Sequence, residues 1–114
     1  MTEAEAHGKA EPLFVYATFP DFTTAETICE ALVEEGLCAC ANLIPGMRSI
    51  YRWKGAVERA DEVVAILKTV SDRAADVVAA IEARHSYETP AIVLLPIKAG
   101  SAAYLDWIRA ETAG

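Results

Sequence analysis

CACANLIPGMRSIYRW, residues 38–53, is the stretch whose reading decides the fold. It opens with small, strand-compatible residues, breaks at Pro45-Gly46, and resumes as an aromatic-rich run that closes on a Lys54-Gly55 turn. Period-two alternation puts Cys38, Cys40 and Asn42 on one face and Ala39, Ala41 and Leu43 on the other. Past the break, Ser49, Tyr51 and Trp53 share a face opposite Arg48, Ile50 and Arg52. The pattern predicts one long strand, interrupted and re-aimed at Pro45 and Gly46. Such a strand is too long for the edge of a small lone domain, so it is expected to form an interface.

The flanking segments supply the rest of a domain. Upstream, Leu13 to Phe19 is an apolar run with β-branched and aromatic bias, suited to a strand buried on both faces. Thr23 followed by Glu26 predicts a capping box. Ala25, Ile28, Cys29 and Leu32 then recur at helical spacing, and Gly36 marks the stop. Downstream of the turn, Val57 to Val70 is the expected antiparallel partner. Ser71 or Asp72 is expected to cap a second helix with a buried stripe of Ala74, Val77, Val78 and Ile81, with His85 a candidate to extend it. Ile92 to Lys98 predicts a fourth strand, with Pro96 at an edge or bulge. Gly100-Ser101 precedes a last helix expected to turn Tyr104, Leu105 and Ile108 inward.

The order β-α-β-β-α-β plus a terminal helix is an α+β, ferredoxin-like split β-α-β sandwich. Two right-handed crossovers give an antiparallel sheet of strand order 4-1-3-2. Residues 1–12 are expected to be a flexible tail and residues 13–114 the single domain. The interrupted strand lies at an exposed edge of that sheet, which predicts self-association.

Bulk properties narrow the function classes. The chain has 114 residues and a formal net charge of −7, which disfavours binding to a phosphate backbone. No apolar run approaches the roughly 20 residues of a membrane span, and the first twelve residues lack a secretory apolar core. Three cysteines without a secretory signal point to free thiols and a cytoplasmic location. No nucleophile has a base at motif spacing and no glycine loop could cradle a phosphate, so no catalytic residues are assigned.

Five segments, CACANLIPG (38–46), SIYRWKG (49–55), EVVAILKT (62–69), HSYETP (85–90) and YLDWI (104–108), resemble the CutA family of divalent-cation tolerance proteins. The likeness runs in order through nearly everything from Leu13 to Trp107. It implies a ferredoxin-like protomer in a tight homotrimer whose sheets pack edge to edge, similar to the PII regulatory proteins. It also implies divalent metal binding, notably of copper, in metal tolerance and response, and no enzymatic activity. The copper ligands it implies are a strand 1 cysteine and histidines ending the second helix. Here those positions hold Ala17 and Arg84-His85. The family's His-Pro-Tyr and Pro-Glu become His85-Ser86-Tyr87 and Pro90-Ala91.

The candidate metal ligands are therefore His85 and Cys40. The alternatives are a histidine packed at a helix end and a thiol acting as a small hydrophobe. Lys68 in an apolar strand needs a carboxylate, a carbonyl or a ligand, with Glu58, Glu62 and Glu88 as possible partners. A polar intersubunit cleft holding Tyr51, Trp53, Lys68, His85 and Tyr87 would take a small anionic or metal-bearing ligand, or a partner protein. Pro45, Gly46, Tyr104 and Trp107 are expected in structural or interface roles.

Overall fold

The computed structural model describes residues 10–114. Of the expected tail, residues 1–9 lie outside the described residues. Ala10 to Pro12 are held in place. The Ala10 carbonyl accepts from Arg109 at 2.7 Å, Glu11 exchanges hydrogen bonds with Ser71, and Pro12 begins the first strand.

The order of elements is β1 (Pro12–Phe19), α1 (Phe22–Glu34), β2 (Cys40–Trp53), β3 (Ala56–Val70), α2 (Ser71–Arg84), β4 (Ile92–Pro96) and α3 (Ala102–Thr112). The sheet is antiparallel in the order β2-β3-β1-β4, the expected 4-1-3-2 read from its other edge. The α+β ferredoxin-like architecture thus stands as the periodicities predict. Val15, Ala17 and Phe19 of β1 and Val63, Ala65 and Leu67 of β3 face one way. They bury against Ala25, Ile28, Cys29 and Leu32 of α1 and Val77 and Ile81 of α2. At roughly 25 cal/mol per Å² of apolar surface, this layer is the main source of stability.

Residues of opposite parity, among them Phe14, Tyr16 and Lys68, face away from that core. α3 reaches only one end of this second face, where the Tyr104 hydroxyl lies 3.4 Å from Lys68 Nζ. Ile108 is its buried anchor, while Tyr104 and Trp107 remain about two-fifths exposed at 40% and 41%. The inward set expected for this helix is therefore correct for Ile108 and overstated for Tyr104. An open sheet face is left between α3 and the far hairpin.

That hairpin is built by β2 and β3. Its turn at Lys54-Gly55 has positive φ at both residues, +49° and +84°, the geometry that matches the twist of paired strands. Pairing runs from Cys40↔Lys68 to Ile44↔Val64, shifts, and resumes at Met47↔Glu62. Three steps along β2 answer two along β3, so Pro45-Gly46 is a β-bulge, with Gly46 at φ +85°. The extra residue inverts the parity of β2. Cys40 and Asn42 before it share the open face with Ser49, Tyr51 and Trp53 after it.

Three local expectations are corrected. Asp21, not Thr23, caps α1, its carboxylate accepting from the Thr24 N–H at 2.7 Å because extended backbone at Asp21 starts the helix earlier. Neither Ser71 nor Asp72 caps α2. Val70 holds that position without a side-chain bond, while the Ser71 hydroxyl accepts from the Glu11 N–H at 3.1 Å. Cys38 and Cys40 do not form a pair on one face. Cys38 precedes β2, outside its alternation, and is 1% exposed in the core cluster with Cys29, whereas Cys40 lies beside Lys68.

Candidate functional site

A cavity of about 630 Å³ opens on the second sheet face. Its walls come from four separate places: Tyr16 on β1, Met47, Tyr51 and Trp53 on β2, Glu58 and Glu62 on β3, and Tyr87 to Thr89 in the loop before β4. The bulge aims Tyr51 and Trp53 here by inverting the β2 parity. Two carboxylates are oriented by phenols. Tyr87 Oη donates to Glu62 at 3.0 Å, and Tyr51 Oη to Glu58 at 3.4 Å. Burial first, then the Glu62 carboxylate, pushes the Tyr87 phenol up to about 12, so it remains a donor at neutral pH. Desolvation and then Glu58 raise Tyr51 as well.

Three of the five residues expected in the cleft, Tyr51, Trp53 and Tyr87, come together here. Lys68 and His85 do not line the cavity. Lys68 is 5% exposed, and its ammonium donates to Asn42 Oδ1 at 2.6 Å. Tyr104 Oη at 3.4 Å, Cys40 Sγ at 3.6 Å and the Phe14 ring at 5.4 Å complete its surroundings. The lysine thus finds an amide carbonyl and an aromatic face, while the glutamates expected to pair with it face the cavity. Cation–π attraction and the amide dipole compensate part of the lost hydration.

His85 caps the end of α2, stacked on Phe19 with ring centroids 4.8 Å apart. Nε2 lies 2.6 Å from the Thr18 carbonyl, and Nδ1 accepts from the Tyr87 N–H at 3.0 Å. A carbonyl oxygen can only accept, so this geometry requires the neutral Nε2–H tautomer. Its one lone pair is then already engaged. The imidazole positions Tyr87, and through it Glu62.

The described residues do not fit a copper-type site. They contain no group of three or more His, Cys, Asp or Glu side chains able to hold a metal ion. His85 would first have to give up a hydrogen bond, and an ammonium stands 3.6 Å from Cys40 Sγ, where a second cation is unwelcome. Cys29 and Cys38 are buried, and burial pushes their thiols up to about 11 and about 12, away from the thiolate a soft metal needs.

Tyr16 and Met47 stand outside the set expected from the sequence, and Glu58 and Glu62 line this cavity instead of pairing with Lys68. Their meeting depends on register: Met47 pairs with Glu62, and the Tyr16 hydroxyl lies 3.7 Å from Met47 Sδ. The parity change at Pro45-Gly46 was the only signal that could have pointed there.

Residues 13–111 match the family described as CutA1 divalent ion tolerance protein. The divalent-cation tolerance protein CutA of Thermus thermophilus is 44% identical over 98 residues, covering 86% of this chain and 95% of that protein. The crystal structure of CutA1 from Oryza sativa superposes with a TM-score of 0.87 at 32% identity, covering 91% of this chain and 95% of that one. A structure described as the periplasmic divalent cation tolerance protein CutA of Archaeoglobus fulgidus gives 0.86 at 40% identity, covering 89% of this chain and 98% of that one.

Proposed function

Since the chain belongs to the CutA1 divalent ion tolerance family, we propose that it serves cation tolerance as a homotrimer, gathering divalent ions on its charge rather than in a coordination sphere. The observation that carries the assembly is the pair of open sheet edges. β2 offers a 14-residue edge, and β4 offers Val93, Leu94 and Leu95, which are 43–49% exposed. An edge of that length with apolar side chains calls for a strand from another chain. Joining β2 of one copy to β4 of the next uses two different surfaces, and such contacts close as a ring of three when each copy is turned by a third of a revolution from the last.

Three chains carry a formal charge of about −21, three times the −7 of one. That field concentrates copper, zinc and other divalent ions without dedicated ligands. Free thiols at Cys29, Cys38 and Cys40 support a reducing compartment such as the cytoplasm, in contrast to the periplasmic description of the A. fulgidus protein. Among the described residues, no helix is long and apolar enough to cross a membrane.

Calorimetry with copper and zinc at low and high salt tests the cation reading. The expected heat fades with salt, because screening shortens the reach of exposed charge. Stoichiometric binding that resists salt and is lost in His85→Ala or Cys40→Ser would overturn it in favour of a coordinated site. The cavity favours a second reading, a PII-like regulatory trimer holding a small ligand in a cleft on the open sheet face, and its 630 Å³ lies within the range of small-molecule sites.

A further inference from the structure

We propose that the cavity on the open sheet face binds an organic cation with an apolar body, an alkyl- or quaternary ammonium held among Tyr51, Trp53 and Tyr87 against Glu58 and Glu62. The proposal rests on the second reading above, that a small molecule occupies this cleft, and it names the class.

Two independent features select that class. The first is the wall: three aromatic rings of the hairpin and loop, joined by Tyr16, offer π-faces on which a weakly hydrated cation gains attraction. The second is charge. Glu58, Glu62 and Glu88 line the cavity and no lysine or arginine does. Of the nearby cations, Lys54 at the turn has Nζ 5.7 Å from the Trp53 ring centroid, an ammonium already drawn to that indole, and Arg48 belongs to the opposite face of the hairpin, where it is paired with Asp61 at 2.6 Å. Each phenol–carboxylate contact occupies one oxygen and leaves the other able to meet a ligand.

The same features reject the alternatives. An anion would meet three glutamates without a counter-charge. A divalent metal ion is strongly hydrated, gains little from aromatic faces, and finds no ligand cluster among the described residues. A purely apolar molecule would strand the carboxylates in a drier setting at a desolvation cost.

The test uses the full chain carrying Trp107→Phe, so that Trp53 is the sole indole, titrated with benzyltrimethylammonium and separately with benzenesulfonate. The expected result is saturable quenching of Trp53 by the ammonium, at one equivalent per chain, with no response to the sulfonate. Glu62→Gln should weaken the ammonium about tenfold, the scale of a desolvated cation–π and charge contact, without changing the thermal midpoint by more than a few degrees. Glu58→Gln serves as the second variant should Glu62→Gln fold poorly. Binding of the sulfonate but not the ammonium overturns the proposed class while leaving the small-ligand reading in place. Saturation by neither overturns both, and is the outcome expected if a neighbouring copy fills the cavity.

Discussion

The side chain that most changes the functional picture is His85. Stacking on Phe19, donation to the Thr18 carbonyl and acceptance from the Tyr87 N–H make it a positioning residue for the loop that completes the cavity. The cysteines divide in the same way by surroundings rather than by spacing. Cys29 and Cys38 are 3% and 1% exposed, and Cys40 is the partly exposed thiol. In the folded protein a disulfide reagent should therefore label Cys40 first, with Cys29 and Cys38 reacting only on unfolding. Immediate labelling of all three under native conditions would contradict the core assignment. Burial also sets a pH dependence. The Cys38 thiol is raised from an ordinary value of 9.0 to about 12, so the folded state favours its neutral form. A raised folded value contributes stability that is complete below pH 9.0 and is lost as pH rises toward 12. Thermal midpoints should accordingly fall between pH 8.5 and 10.5, and Cys38→Ala should flatten that part of the decline.

Among the elements, β2 carries the most consequence, because its bulge converts one strand into two with opposite parity. Gly46 stands at φ +85° with open space where a Cβ would project, so its replacement is penalised by backbone conformation rather than by collision. Gly46→Ala should cost about 1–2 kcal/mol, read as a lower urea midpoint with unchanged slope at fixed protein concentration. An unchanged midpoint would mean that the bulge relaxes freely. The strand order, both core stripes and the break at Pro45-Gly46 were legible from periodicity and turn chemistry alone. The α1 cap was misassigned because Thr23–Glu26 and Asp21–Thr24 both satisfy capping spacing, and only backbone geometry chooses between them. The cavity was half legible. Tyr51, Trp53 and Tyr87 stand out as aromatics near turns, whereas Tyr16, Met47 and Glu62 join them through cross-strand register, which no local window contains.

For the whole molecule, shape and charge make the argument. The described residues extend 54 Å along their longest axis against 27 and 25 Å across, with β2 and β3 running on beyond the β1–β3 ladder that ends at Phe19↔Val63. Ile50 and Val57 at 64% and 54% exposure, with Tyr51 and Trp53 on the other face, leave this extension with apolar surface on both sides. A ribbon of two strands is marginal in water unless something covers it. In the trimer proposed above, neighbouring copies would cover the ribbon through the β2 and β4 edges, and the same assembly would multiply the charge proposed to draw cations. The proposed trimer and the proposed cleft therefore both rest on one physical fact, the unsatisfied edge and face of this ribbon. The most direct test is the mass in solution at micromolar concentration by light scattering. A species of three times the 12.3 kDa chain is the expected result, and a stable particle of 12.3 kDa would contradict the account.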